Sequence, residues 1–164
     1  AEYCLKENRR LVHMSTDLVY SGGVPPYTEE SPAVPKSLYG WTKLLGDLAV
    51  LRRNPRALVV RTSVLTGTVG AKNSTFTEDI IQGRATSFFV DSFRNHTDIT
   101  LLAEYLQNAL LSSGRGLVLA ASPYSMSRAA YAWSVLEKPM RMVPAPPHIA
   151  KDLTLRPSVS LTSN

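Results

Sequence analysis

Three short apolar runs, separated by stretches with helical periodicity, constrain the fold of this chain more than any other feature. The runs cover residues 10–14, 57–63 and 116–121. Each has the length and the apolar or β-branched composition of a strand buried in a parallel sheet. Strands that alternate with helices are typical of parallel sheets with helices on both faces. The sequence therefore predicts an α/β fold built on a doubly wound parallel sheet.

The strongest helical pattern lies in residues 31–53. Apolar residues recur there at steps of three and four residues, at Leu38, Trp41, Leu45 and Leu48, with Leu44 and Leu51 beside them. This period predicts an amphipathic helix whose apolar stripe packs on the core of the protein.

The remaining pattern predicts further alternation of helices and strands. We expect a loop over residues 67–73, a helix over residues 75–82 and a short strand over residues 86–91. Asp98 precedes another run with helical periodicity, so its carboxylate is expected to cap that helix. The chain from Pro139 onward is rich in proline and predicts an irregular lid or edge segment.

Tyr39 and Lys43 are the first candidates for chemistry. They are four residues apart, which places their side chains on one face of the predicted helix. A positive charge beside a phenol favours the phenolate and makes the hydroxyl a better proton donor. Such a tyrosine can pass a proton to or from a substrate oxygen. The same spacing fits an exposed tyrosine and lysine on a solvated helix face, so the pair alone leaves both interpretations open.

Polar side chains follow two of the predicted strands. Thr16 and Asp17 come after the first apolar run, and Thr62 and Ser63 end the second. The carboxyl ends of parallel strands share one edge of a sheet, where open α/β proteins bind their ligands. We therefore expect these groups to lie side by side, close to the helix that carries Tyr39.

Three motifs, in this order and spacing, resemble those of the extended short-chain dehydrogenases/reductases. They are Ser-Thr-Asp-Leu-Val-Tyr at residues 15–20, Pro-Pro-Tyr-Thr-Glu at 25–29 and Tyr-Gly-Trp-Thr-Lys-Leu-Leu-Gly-Asp at 39–47. The chain is most similar to the dTDP-4-dehydrorhamnose reductase branch and its sugar nucleotide-binding relatives. The resemblance covers nearly the whole chain but only the later half of a family member. It implies a Rossmann-like fold with a small C-terminal substrate region.

The resemblance implies a role for Tyr39, Lys43, Thr16 and Asp17. Tyr39 is expected to be the general acid that protonates a carbonyl oxygen. Lys43 is expected to tune Tyr39 and to hydrogen-bond the nicotinamide ribose. Thr16 is expected to hydrogen-bond the substrate oxygen, or else to cap a turn. Asp17 is expected to orient substrate or cofactor hydroxyls, or else to form a turn.

Other positions are expected to line the same site. By resemblance, Thr62 and Ser63 border the nicotinamide cofactor and Val64 borders the substrate. Family members often carry a larger group where this chain has Val64, and a proline where it has His96. Arg94 is expected to meet a diphosphate through its planar guanidinium, or to be a solvated loop residue.

The resemblance implies an oxidoreductase in which NADPH or NADH donates hydride to the 4-keto group of a nucleotide-linked deoxysugar. A second interpretation is a non-catalytic nucleotide-binding regulatory subunit, similar to that of methionine adenosyltransferase. A third is an epimerase or dehydratase on the same fold, which would retain bound NAD. Family members often dimerise through helices that include the Tyr39 helix, so a homodimer is also expected.

We expect the chain to form one partial domain. Residues 1–70 and 99–138 would make the active-site half of the Rossmann-like fold, and residues 71–98 and 139–164 the substrate-binding or lid segments. The sequence contains no glycine-rich phosphate-binding motif, so the nucleotide-binding half is expected to precede this chain in a longer protein. Because the sheet would have open edges, we expect the chain alone to be inactive and not an independently stable NAD(P)-binding unit.

Composition excludes several other classes of protein. The formal net charge is +5, but the cations are scattered, with Arg9-Arg10 and Arg52-Arg53 as the adjacent pairs, so no nucleic-acid surface is expected. The one cysteine, Cys4, excludes an internal disulfide and fits a reducing compartment. No apolar run approaches the roughly 20 residues of a membrane span, and a cytoplasmic location is expected. No metal is expected, because no His/Cys/Asp cluster has metal-ligand spacing.

Overall fold

The computed structural model describes residues 1–68 and 75–162. The loop expected over residues 67–73 therefore lies mostly outside the described residues. The helices of the described part are α1 (Glu2–Lys6), α2 (Leu38–Arg53), α3 (Phe76–Ile81), α4 (Ile99–Leu111) and α5 (Arg128–Leu136). Its strands are β1 (Val12–Thr16), β2 (Leu58–Thr62), β3 (Leu65–Thr66), β4 (Phe88–Phe89), β5 (Phe93–Asn95), β6 (Thr97–Asp98), β7 (Gly116–Ala121), β8 (Ser125–Ser127), β9 (Met142–Val143) and β10 (Val159–Ser160). A 3₁₀ turn, Asp17–Val19, follows β1 directly.

Four strands form the central sheet, in the order β1-β2-β7-β10, and every neighbouring pair is parallel. The three predicted strands are adjacent in it, because Val12 of β1 pairs with Leu58 of β2, and Leu58 pairs with Gly116 of β7. The prediction of an α/β fold on a parallel sheet is confirmed. The proline-rich C-terminal segment adds β10 at the edge of this sheet.

Helices cover both faces of the sheet. Leu44 of α2 packs in one cluster with Leu119 and Ala121 of β7. Leu102 of α4 packs in a second cluster, which includes Val60 of β2. Because successive side chains of a strand point to opposite faces, β7 contributes to both clusters. Within the described part of the chain, every helix is too short or too polar to cross a bilayer.

Polar caps set the start of two helices near the carboxyl end of the sheet. Asp98 accepts hydrogen bonds from the backbone amides of Thr100 at 2.7 Å and Leu101 at 3.3 Å. The expected cap of α4 is thus confirmed. Thr75 and Glu78 form a reciprocal capping box at the start of α3, which satisfies two backbone amides that the helix itself leaves unpaired.

The buried face of α2 is not the apolar stripe that the sequence predicts. The helix buries Gly40, Leu44 and Asp47. The predicted apolar stripe is exposed at Leu38, where the exposure is 82%, and at Trp41, Leu45 and Leu48. The prediction that this stripe packs on the core is therefore wrong for these four residues, whereas Leu44, beside them in the predicted stripe, does pack in the core. Periodicity correctly identifies the helix, but hydrophobicity does not identify its buried face. The buried face carries a glycine, which permits close approach to the sheet, and an aspartate, whose charge is paired inside the protein.

Candidate active site

The carboxyl ends of β1 and β2 bring two hydroxyl side chains together. Thr16 ends β1, Thr62 ends β2, and the two residues are direct partners in the parallel ladder. Both are buried, and the Thr62 hydroxyl has no hydrogen-bond partner among the described residues. The expected adjacency of the two strand ends is confirmed, and it leaves an unsatisfied hydroxyl at this edge of the sheet.

Thr16 caps the 3₁₀ turn that follows β1. Its hydroxyl accepts a hydrogen bond from the backbone amide of Leu18 at 3.2 Å and donates to Asp17 Oδ1 at 3.3 Å. The second distance is long for an O–H···O bond, whose usual length is about 2.7–2.8 Å. The Thr16 proton can therefore be given to a closer acceptor at small cost.

Asp17 is fully buried and is satisfied by donors from within the chain. Arg94 forms a two-bond ion pair with it, through Nε at 2.8 Å and Nη2 at 2.6 Å. The Ser63 hydroxyl donates to Oδ2 at 2.5 Å. Together with Thr16, these donors occupy the roughly four acceptor positions of a carboxylate. The cluster joins the turn after β1, the end of β2 and the strand β5.

Lys43 is anchored to the backbone of β1, and Tyr39 is open to solvent. Lys43 Nζ donates to the carbonyl oxygen of Met14 at 2.5 Å. Tyr39 lies one helical turn earlier in α2 and is 55% exposed. Within the described residues, no hydrogen bond engages its hydroxyl. The phenol is thus available to a ligand, one helical turn before the lysine that is anchored on β1.

The close approach of α2 to the turn after β1 depends on Gly40. A Cβ at this position would lie 2.3 Å from the carbonyl oxygen of Leu18 and 2.9 Å from Cβ of Pro35. Ser37 caps the same end of the helix and accepts a hydrogen bond from the Gly40 amide at 3.1 Å. Tyr39 therefore belongs to the first turn of α2, which packs closely against the 3₁₀ turn that follows β1.

Gly40→Ala is expected to push the start of α2 away from this turn and to lower the free energy of unfolding by about 1–3 kcal/mol, the usual cost of overpacking. The measurement is chemical denaturation of the complete protein. Gly46→Ala is the matched control, because a Cβ there would meet only the His13 ring, at 3.4 Å. Equal stability of the two variants would contradict the close approach.

A buried ionic cluster holds α2 to the sheet. Asp47 is fully buried and accepts hydrogen bonds from Ser15 Oγ at 2.9 Å and Arg61 Nε at 3.0 Å. Arg61 also donates through Nη1 to the Tyr20 hydroxyl at 3.1 Å. Hydrophobic periodicity does not reveal this cluster. The available signal is that Asp47 is seven residues after Gly40, and thus on the same helical face.

His13 lies beside this cluster, and its pKa responds to burial and to the charge of Lys43. Its Nε2 is 3.4 Å from Asp47 Oδ1. Burial, and next the ammonium of Lys43, lowers the pKa of His13, while Asp47 acts in the opposite direction. The imidazole is therefore neutral at neutral pH, and Lys43 supplies the positive charge between α2 and β1.

A cationic cleft of about 270 Å³ opens beside the start of α2. Lys36, Arg94, Arg128 and His148 contribute to its wall, next to the cap residue Ser37. Arg94 is bound to Asp17 along one edge of its guanidinium, but a guanidinium carries five donors, so others are left for a ligand. The cleft therefore adjoins the helical turn that carries Tyr39.

Arg128 is a cation of this cleft that the sequence pattern does not reveal. Its guanidinium lies 4.5 Å from the ring centroid of Phe76 and 5.8 Å from that of Phe89. Burial, and next the charge of Arg94, lowers the pKa of Arg128, with a smaller opposing effect of Asp79. Two guanidinium groups close enough to repel each other make the cleft a favourable place for an anion.

Val64 and His96 lie among aromatic side chains near the same end of the sheet. The His96 ring stacks on Tyr131 with a centroid distance of 4.3 Å, and burial lowers the pKa of His96 to about 4. Val64 packs against the cluster that contains Phe76. The backbone amide of Thr97, the residue after His96, donates to the Val64 carbonyl at 2.9 Å. This hydrogen bond holds the backbone near His96 beside Val64.

The fold and the site define an α/β protein of Rossmann-like architecture that gathers hydroxyl, phenol and ammonium groups near the carboxyl ends of parallel strands. The chain belongs to the RmlD substrate binding domain family, whose model matches residues 1–152. Its resemblance to the dTDP-4-dehydrorhamnose reductase-like family is thereby confirmed.

Curated relatives match a shorter part of the chain. It is 48% identical over 69 residues to a probable dTDP-4,6-dihydroxy-2-methyloxan-3-one 4-ketoreductase of Streptomyces antibioticus, covering 40% of this chain and 23% of that protein. It is 51% identical over 59 residues to methionine adenosyltransferase 2 subunit beta of Rattus norvegicus, covering 36% of this chain and 18% of that protein. The matched segments thus span less than a quarter of these relatives.

Solved structures share the fold over most of this chain. A dTDP-4-dehydrorhamnose reductase of Bacillus anthracis in complex with NADP has a TM-score of 0.78 and 23% identity, covering 88% of this chain and 54% of that chain. The enzyme WbmG of Bordetella bronchiseptica in complex with NAD has a TM-score of 0.80 and 19% identity, covering 98% of this chain and 57% of that chain. The chain spans about half the length of these proteins.

Proposed function

We propose that the protein containing this chain uses NADPH or NADH to reduce the 4-keto group of a nucleotide-linked deoxysugar. One observation carries the proposal. Lys43 is anchored to Met14 of β1, the strand that ends at Thr16. Tyr39, whose hydroxyl is open, lies one helical turn before Lys43 on α2. Membership in the RmlD substrate binding domain family supports the substrate class.

Tyr39 is the proposed general acid. A bound reduced nicotinamide supplies the hydride to the carbonyl carbon of the sugar. The Tyr39 hydroxyl gives its proton to the carbonyl oxygen, so that a hydroxyl group forms and the phenolate is left to be reprotonated from solvent. Lys43 supplies a positive charge one helical turn after Tyr39, and its bond to Met14 holds the ammonium against β1.

Thr16 and Thr62 are the proposed hydroxyl donors at the strand ends. Thr16 can exchange its long bond to Asp17 for one to the substrate oxygen, where negative charge develops. Thr62, whose buried hydroxyl has no partner among the described residues, fits the polar edge of a nicotinamide. Ser63 would act indirectly, by holding Asp17 in place.

The cationic cleft is the proposed site for the phosphates of the substrate. Its Arg94 and Arg128 side chains supply guanidinium groups that match phosphate oxygens, and the cleft adjoins the start of α2. Val64 would border the sugar. A nucleotide-sugar ligand is supported by a solved neighbour, WbmG, which was crystallised with NAD and UDP.

The test uses the complete protein, a reduced nicotinamide and a dTDP-4-keto-6-deoxy sugar. We expect the near-ultraviolet absorbance of the reduced nicotinamide to fall as the sugar is reduced.

Arg128→Gln should raise KM for the sugar nucleotide about tenfold with a smaller effect on kcat, because it removes a phosphate contact that is present both before and during the reaction. No loss of absorbance with either NADPH or NADH would overturn the reductase proposal.

A second candidate is a regulatory subunit that binds nucleotides without turnover. It is supported by the identity of 51% over 59 residues with methionine adenosyltransferase 2 subunit beta. The same assay separates the two candidates, because a regulatory subunit would bind the cofactor without oxidising it. An epimerase or dehydratase, the third candidate, would convert the sugar with bound NAD and no net use of reduced nicotinamide.

A further inference from the structure

Four arginines line a second cavity, away from the candidate active site. The cavity has a volume of about 460 Å³, and Arg9, Arg10, Arg56 and Arg115 contribute to its wall. Among the described residues that line it, none is an aspartate or a glutamate. The fold thus gathers cations that are scattered in the sequence, and we call this site the arginine cavity.

The parallel sheet explains why these arginines meet. Arg10, Arg56 and Arg115 stand just before β1, β2 and β7, and the first residues of these strands are in register. The amino ends of parallel strands share one edge, opposite the carboxyl ends that carry Thr16 and Thr62. Arg10 and Arg56 are six residues before Thr16 and Thr62. Because strands rise about 3.3 Å per residue, the arginine cavity lies roughly 20 Å from those hydroxyls.

Neutral groups hold two of the four arginine side chains, those of Arg10 and Arg56, in place. Arg10 donates through Nε to the carbonyl oxygen of Ala109 at 3.1 Å and through Nη1 to that of Arg56 at 2.9 Å. Its Nη2 is buried without a partner among the described residues. Arg56 Nη2 donates to Asn8 Oδ1 at 2.7 Å. None of these contacts neutralises a charge, so an anion that enters the cavity relieves the repulsion between the guanidinium groups.

We infer that the arginine cavity binds a small ligand that carries two or more phosphate groups. Its volume falls within the roughly 300–1,000 Å³ of small-molecule sites, and guanidinium groups bind phosphate oxygens in pairs. No aromatic ring is found among its lining residues in the described part, so phosphates rather than a stacked base supply the affinity. A protein partner usually covers about 800 Å² on each side, whereas these arginines converge on a concavity. The inference is independent of the proposed reductase activity.

The test is calorimetric titration of the complete protein with pyrophosphate at constant ionic strength. Every variant also carries Arg128→Gln, so that the cationic cleft beside α2 is weakened equally in all samples. We expect Arg56→Gln with Arg115→Gln to weaken binding about tenfold or more, since two charged hydrogen-bond donors are lost. The matched control is Arg52→Gln with Arg53→Gln, which removes the same charge from exposed positions on α2 and should leave the affinity unchanged.

Three results would each overturn the inference, and a fourth applies if the glutamine variant unfolds. The first is equal weakening by both double variants, which would reflect net charge alone. The second is no measurable binding of millimolar pyrophosphate. The third is arginine-dependent binding of an oligo-aspartate peptide in place of pyrophosphate, which would assign the cavity to an acidic protein segment. If the glutamine variant unfolds, Arg56→Lys with Arg115→Lys replaces it: weakened binding supports the guanidinium site, and full affinity contradicts it.

Discussion

Tyr39→Phe is expected to lower the turnover of the complete protein by at least about a hundredfold while the fold is retained, because a positioned general acid contributes roughly 10²–10⁴-fold to a rate. The hydroxyl removed is exposed and unpaired within the described residues, so its loss breaks no internal hydrogen bond. The measurement is kcat with saturating reduced nicotinamide and keto sugar, together with the midpoint of thermal unfolding.

Tyr3→Phe is the matched control for this substitution. Tyr3 is also exposed, at 64%, and belongs to α1, which precedes the amino end of β1. Its replacement should leave both turnover and the unfolding midpoint unchanged. Near-normal turnover of Tyr39→Phe would end the catalytic assignment, whereas a large fall in the unfolding midpoint would show that the hydroxyl supports the fold.

Asp47→Asn is expected to lower the free energy of unfolding by about 3–5 kcal/mol, the usual cost of removing one partner of a buried ion pair. The substitution keeps the side-chain shape but leaves the buried Arg61 guanidinium without its counter-charge, which lies 3.0 Å away. Equilibrium denaturation of the complete protein measures this loss. Because Asp47 lies one turn after Lys43 on α2, we also expect turnover to fall as the helix shifts.

Two comparisons isolate the contribution of the buried charge. Glu2→Gln breaks the exposed contact with Arg53, where the two groups are 3.5 Å apart, and should cost only about 0–1 kcal/mol. Asp47→Leu combined with Arg61→Met removes both charges and should recover much of the stability, since no unpaired charge stays buried. A loss for Asp47→Asn no larger than that for Glu2→Gln would contradict the proposed role of the ion pair.

Some of the missed features have a signal in the sequence that hydrophobicity does not reveal. Asp47 shares the inward face of α2 with Gly40 and Leu44, at spacings of seven and three residues. Arg10 begins the first of the three apolar runs, and Arg56 and Arg115 stand directly before the other two; parallel strands bring their amino ends together. In contrast, nothing local links Asp17 to Arg94, which is 77 residues later in the chain.

The sequence by itself determined the features that depend on near neighbours: the three parallel strands, the cap of α4 at Asp98, and the spacing of Tyr39 and Lys43 on one helix. Helix periodicity and capping involve groups only a few residues apart, so a linear pattern contains them. Only the tertiary structure decided which face of α2 is buried and which charges meet, at Asp17 and in the arginine cavity. Those outcomes depend on strand register and on how closely a helix approaches the sheet, which join residues far apart in the chain.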